Sequence, residues 1–139
     1  MYEKGKAVVF RRPKEVEIKE IKLPEVDDET IVVKTKYSGI STGTEMAVYS
    51  GEASYEGVWY PCVPGYEEVG EVVYVGKNAF KSNKGEEFKV GDRVMANEVR
   101  YYPDYMAAWG GQCGYAIKNL KTSPNLMDRP AKIPENVSY

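Results

Sequence analysis

The sequence contains no histidine. Histidine is the usual general base near neutral pH and the commonest metal ligand, so its absence removes whole classes of chemistry. Neither a Ser-His-Asp triad nor a Cys-His nucleophile can be assembled within this chain, and an imidazole-rich zinc, iron or copper centre is equally excluded. Cysteine is nearly as scarce, with Cys62 and Cys113 the only two. Without an export signal, the expectation for them is two reduced, buried thiols rather than a bridge. An excess of charge of one sign is also missing. The 19 Lys and Arg against 21 Asp and Glu leave a formal charge of -2. Lys and Glu are mixed along the chain, so no field gathers phosphate backbones and nucleic acid is not an expected partner. No apolar run approaches the roughly 18 to 20 residues of a spanning helix, and Met1, Tyr2, Glu3 and Lys4 do not open a leader peptide. The expectation is a cytoplasmic chain with no membrane partner.

What is present fits one ordinary globular unit. The length is 139 residues, with 42% apolar and 29% charged side chains, enough to bury a core without staples and too apolar for disorder. Lys6 to Phe10 and Val16 to Leu23 flank Arg11-Arg12-Pro13-Lys14 as strand, turn and strand. Thr30 to Tyr37 is a third strand, rich in β-formers. Ser38 to Gly43 reads as a loop, followed by one or two helical turns over Thr44 to Tyr49 that Gly51 ends. Glu68 to Gly76 is a strand with an internal glycine, the mark of a bend or a close backbone approach. Phe88 to Ala96 turns at Gly91-Asp92 into another strand, and Gly114 to Ile117 supplies one more. Asn97 to Gly111 has no clear period, and its tyrosines, Trp109 and Pro103 predict a packed loop. Many short strands broken by Gly and Pro turns predict a mainly β protein, a closed or partly open β-barrel with a few short helices.

Four segments, taken in order, resemble the medium-chain dehydrogenase/reductase family. Tyr37-Ser-Gly-Ile-Ser-Thr-Gly-Thr-Glu45 is similar to the family's G-I-C-G-T-D loop. Pro64-Gly-Tyr-Glu-Glu-Val-Gly-Glu-Val-Val-Tyr-Val-Gly76 is similar to its G-H-E-x-x-G-x-V-x-x-V-G run. Phe88-Lys-Val-Gly-Asp-Arg-Val94 looks like its F-x-V-G-D-R-V turn. Gly110-Gly-Gln-Cys-Gly-Tyr-Ala-Ile117, followed by Lys132-Ile-Pro-Glu-Asn-Val137, is similar to G-G-x-A-E-Y and to the K-I-P before the cofactor domain. The wording of the first loop is also similar to proteins grouped near the bacteriochlorophyllide dehydrogenases. The resemblance implies that residues 1–139 form the family's N-terminal GroES-like catalytic domain, which holds substrate against a nicotinamide. The Rossmann domain that binds NAD or NADP would follow this stretch.

In zinc-dependent members the cysteine of the first motif and the histidine and glutamate of the second surround a catalytic zinc. Here the cysteine position falls on Ser41 or Thr42, because the loop is one residue longer, and the histidine position falls on Tyr66. The glutamate remains as Glu67. One carboxylate among hydroxyls is a poor zinc site. The family's structural zinc lobe uses four cysteines after the V-G-D-R-V turn, and Asn97 to Gly111 contains none. The resemblance therefore implies a zinc-independent branch.

Without zinc, another group must move the substrate's hydroxyl proton, and a phenol or carboxyl in a dry cleft can be tuned for that. Thr44, Tyr66 and Glu67 are the catalytic candidates. Ser41, Thr42, Glu45, Tyr49 and Trp59 are candidates for contact with a small-molecule substrate. Tyr55 and Tyr60 belong to the same aromatic stretch, where relatives line the substrate entrance. Plainer roles compete: Thr44 as a helix cap, Glu45 in a salt bridge, Tyr66 as filler of the vacated metal space, and the aromatics as packing. Glu67 and Glu68 are adjacent in a strand and point to opposite faces, so at most one faces a cleft.

No dinucleotide fingerprint occurs, so tight NAD(P) binding by this stretch alone is not expected. The expected partners are a substrate, the chain's own Rossmann domain if the natural protein is longer, and a second copy in a homodimer. A stand-alone GroES-like binding or structural module is the alternative reading.

Overall fold

A computed structural model describes residues 2–52, 57–80, 86–96, 102–121 and 130–139. Strands β1 (Lys4–Arg12) and β2 (Glu15–Lys22) form the expected antiparallel hairpin, paired from Lys4 with Lys22 to Arg12 with Glu15. β3 (Thr30–Gly39) is the centre of the second sheet, and its first four residues are all buried. Consecutive burial of Thr30, Ile31, Val32 and Val33 means that both faces are covered there, which explains a β-branched run without strict alternation. β4 (Cys62–Val63) is followed by β5 (Glu67–Val75), β6 (Arg93–Met95), β7 (Met106–Ala107), β8 (Tyr115–Asn119) and β9 (Ala131–Lys132).

These strands make two sheets, in the orders β2-β1-β4-β7 and β8-β3-β5-β6-β9. Residues 112–114 form the seam between them. Val8 N–H donates to the Gln112 carbonyl and Gly114 N–H to the Lys6 carbonyl, while Thr35 N–H from the other sheet donates to the Gly114 carbonyl. The sheets are not closed into a continuous cylinder, and the result is the mainly β, partly open GroES-like barrel expected. Val9, Ile21, Ile31, Val32, Val33, Val63, Val72 and Val94 fill its interior.

Gly70 shows why its strand carries a glycine. A Cβ there would lie 2.2 Å from the Lys34 carbonyl oxygen, and the β3–β5 register slips between Thr35 and Tyr37 beside it. The one helix among the described residues, α1 (Thr42–Ser50), begins two residues before the expected start. Gly51 ends it at φ 78°, with its N–H reaching the last turn, a left-handed cap suited to glycine. Both cysteines are buried and unpaired. Among the described residues no helix is long and apolar enough to cross a membrane.

Candidate functional site

Strand register brings the two main motifs together. Gly39, the last residue of β3, pairs with Glu67, the first of β5. A Cβ on Gly39 would fall 2.3 Å from Glu67 Oε2, so the missing side chain is what lets the exposed carboxylate lie over this loop. From the turn before β5, the Tyr66 hydroxyl donates to Ser41 Oγ across 2.9 Å. Ser41 is the N-cap of α1, yet its side chain makes no capping bond; its oxygen is turned to Tyr66 instead. Of the two residues that could occupy the family's cysteine position, Ser41 is therefore the one beside Tyr66. Thr42 opens the helix and is exposed, and Thr44 is half-buried in the first turn rather than at the cap.

Glu45 is buried under this loop, only 6% exposed. Burial raises its carboxyl above the ordinary range, hydrogen bonds from Gln112 and the Ser41 backbone oppose that rise, and the neighbouring Glu67 adds to it. It takes part in no described ion pair. Glu68 points the other way, as alternation requires, and is 2% exposed. Burial pushes its carboxyl up to about 8, against the pull of Thr35 and of Lys118.

The aromatic candidates separate. The Tyr49 ring meets Phe10 edge-on at 5.6 Å and its hydroxyl donates to the Lys14 carbonyl. The Tyr60 hydroxyl donates to the Val48 carbonyl at the end of α1. Both rings join a small second core with Phe10, Val48, Cys62 and Ala108. Trp59 is half-exposed and its backbone N–H contacts Met106 Sδ at 2.9 Å. Tyr55 lies outside the described residues.

Two residues that sequence reasoning did not single out stand at the site. Trp109 meets Tyr66 edge-on, with ring centroids 6.2 Å apart, and sits at φ 72°, a conformation that is rare for a bulky side chain. Gln112 places its side-chain amide against the loop, donating to the Gly39 carbonyl at 2.8 Å and to Glu45 Oε1 at 3.3 Å, and accepting from Ser38 Oγ at 2.7 Å. A cavity of about 1080 Å³ lies elsewhere, lined by Tyr2, Leu23, Tyr74 and Tyr105 among others and by none of the candidate residues. Among the described residues no group of three or more His, Cys, Asp or Glu could hold a metal ion.

Residues 27–126 match the alcohol dehydrogenase GroES-like domain, and the chain belongs to this family of the alcohol dehydrogenase superfamily. It is 40% identical over 118 residues to 2-desacetyl-2-hydroxyethyl bacteriochlorophyllide A dehydrogenase of Cereibacter sphaeroides, a match that covers 84% of this chain and 35% of the relative. To D-arabitol-phosphate dehydrogenase of Enterococcus avium it is 34% identical over 69% of this chain and 23% of that protein. A short chain alcohol dehydrogenase from E. coli CFT073, solved with NADH, shares the fold with a TM-score of 0.66 at 24% identity, covering 98% of this chain and 40% of that one. The chain thus spans about a third of the length of the curated relatives it matches, 35% of the first and 31% of a second bacteriochlorophyllide A dehydrogenase from Rhodobacter capsulatus.

Proposed function

We propose that residues 1–139 form the substrate-binding, catalytic domain of an NAD(P)-dependent oxidoreductase, with the nicotinamide held by a Rossmann domain of a longer protein. The reaction is hydride transfer between the nicotinamide and a small alcohol, carbonyl or enone substrate. The observation that carries the reading is the Tyr66–Ser41 hydrogen bond at the start of α1, with Glu67 laid over Gly39 beside it.

The nicotinamide supplies the hydride acceptor or donor. This chain's residues have to move one proton at the substrate oxygen. In carbonyl reduction, Ser41 gives its hydroxyl proton to the substrate oxygen as hydride arrives at carbon, and Tyr66 replaces it through the existing hydrogen bond. Tyr66 then regains a proton from water, and Glu67, exposed at the strand end, is the carboxyl beside the relay that takes up and returns that proton. Alcohol oxidation runs the same relay backward. Trp109, edge-on to Tyr66, forms an apolar wall that limits water at the relay.

The residues do not suit a catalytic zinc. Two of the three family positions carry hydroxyls that are bonded to each other, and Glu67 is the one strong anionic ligand left, short of the three protein ligands that zinc requires. No step runs through a metal.

The test is turnover by the protein made from its full reading frame, with NADH and NADPH, against aldehydes, ketones and enones, and with NAD(P)+ against alcohols. Consumption of reduced nicotinamide with any carbonyl class supports the reading. Bound nicotinamide without turnover on the whole panel overturns it.

A further inference from the structure

Every polar atom of Gln112 is engaged, and the partners lie on three separated parts of the chain. Its backbone N–H donates to the Pro64 carbonyl at 2.9 Å, just before the Gly65–Glu67 turn, and its backbone carbonyl accepts from Val8 in β1. Its side-chain oxygen accepts from Ser38, and its Nε2 donates to Gly39 and Glu45. The last two partners are acceptors, so the amide cannot be flipped without losing both bonds. Gly65 leaves room for this arrangement, since it has φ 98° and a Cβ on it would meet Gln112 Cγ at 2.6 Å.

We infer that Gln112 is the positioning residue of this site, holding residues 38–45 in register with the Gly65–Glu67 turn so that Ser41 and Tyr66 stay in contact. The inference rests on the reading above only for what the contact is used for. The β3–β5 ladder ends at Gly39 and Glu67, and beyond it Ser41 and Tyr66 are joined by one side-chain bond, with the Ser41 hydroxyl making no capping contact. Gln112 ties one side of that contact through Gly39 and Glu45, and the other side through Pro64. Gly111 reinforces the second tie, with its N–H donating to the Gly65 carbonyl at 2.6 Å. Loss of the amide frees the loop but leaves the sheets, because the backbone bonds of residue 112 do not depend on its side chain.

Amide hydrogen exchange on the 139-residue chain tests the clamp, comparing Gln112→Met with the parent. Exchange at Glu45, whose N–H closes the first helical turn on Ser41, is expected to rise by about tenfold or more, while Val72 in β5 and Gly91 in the turn bonded to it, both far from the loop, stay unchanged, the signature of local opening. Gln112→Asn, which keeps the amide and shortens its reach, is expected to show the same pattern if the methionine variant does not fold. Gln112→Glu is expected to open the loop further, and adding Glu45→Gln to recover part of the loss by reversing the donor and acceptor. Uniform acceleration at all three amides, no change, or no recovery in the double variant would overturn the inference. In the full-length protein, where it turns over, Gln112→Met should lower kcat about tenfold or more with KM within about threefold, the pattern of a misplaced reacting group. A raised KM with unchanged kcat would also overturn it. A parent without turnover counts against the proposed function alone, and the exchange result still decides the clamp.

Discussion

The Thr35 hydroxyl is hydrogen-bonded to Glu68 Oε1 while also bonding the Cys113 carbonyl 2.6 Å away. A hydroxyl has one proton, and a carbonyl cannot donate. One proton cannot serve both acceptors, so the three groups are fully satisfied only when Glu68 carries a proton of its own, as a neutral acid. Its other oxygen is buried without a partner, a position that a charged carboxylate would not tolerate.

Stability should fall as pH rises. Burial places the folded pKa of Glu68 at about 8, against an ordinary value of 4.5. The folded state then binds more protons than the unfolded state between those values, so its contribution is complete below about 4.5 and lost on the way to about 8. The slope in that window is about 1.4 kcal/mol per pH unit, and it vanishes above 8. Thr35, Tyr102, Cys113 and Lys118 face this group from β3, the 102–114 segment and β8, and the Lys118 charge acts against the neutral form. Glu68→Gln mimics the neutral acid at every pH. Urea unfolding at pH 5, 7 and 9 should show a variant with a flatter profile and higher stability than the parent at pH 9. A parent profile already flat over this range would refute the neutral acid.

Two glycines should respond differently to alanine. At Gly70 the new methyl would meet the Lys34 carbonyl, which is backbone and cannot step aside. A cost of about 1–3 kcal/mol is expected, as for other overpacked sites. At Gly39 the nearest atom is the far end of the Glu67 side chain, which can swing away, and Glu67 Cβ at 3.1 Å has to give by only a few tenths of an ångström. Thermal unfolding of Gly39→Ala should stay close to the parent while the carboxylate leaves its place over the loop. Equal destabilisation by the two substitutions would contradict the distinction.

The hairpin, Gly51, the Gly70 approach and the opposite facing of Glu67 and Glu68 were legible because each depends on neighbours within a few residues or on strand alternation. β4, β7 and β9 have two residues each, too short for any period to appear, and they exist because a partner strand offers open hydrogen bonds. Gln112 was out of reach for another reason. It meets Glu45 across 67 positions of sequence, and nothing beside it except its place in the Gly110 to Tyr115 motif marks it. Helix α1 began at Thr42 rather than Thr44 because Ser41 serves as the N-cap by backbone shape alone, without the side-chain bond that the sequence signal assumes.

Zinc content follows from the ligand chemistry. Purified protein dialysed against metal-free buffer should hold well under one zinc per chain by elemental analysis, because Ser41 and Tyr66 offer neutral hydroxyls where thiolate and imidazole would bind. Cys62 is no substitute: burial pushes its thiol up to about 12, so it stays protonated. About one zinc per chain surviving dialysis would require a ligand set other than the one described.

The proton relay makes the sharpest kinetic prediction. Tyr66→Phe keeps the ring against Trp109 and removes only the hydroxyl that donates to Ser41, so folding should be little affected. Glu67→Gln keeps the shape over Gly39 and removes the charge. In the full-length protein, acid–base groups of this kind are worth about 10²–10⁴-fold in rate, and Tyr66→Phe should lower kcat within that range while leaving nicotinamide binding unchanged. Glu67→Gln should lower it less, because water can replace an exposed carboxylate in returning the proton. Ser41→Ala removes the group that the proposed relay sets against the substrate oxygen and should match or exceed the loss from Tyr66→Phe. Combining the two should add little, since a broken relay cannot be broken twice. If Tyr66→Phe and Glu67→Gln both leave kcat within about threefold of the parent, these side chains fill a vacated metal site and the proton travels by another route.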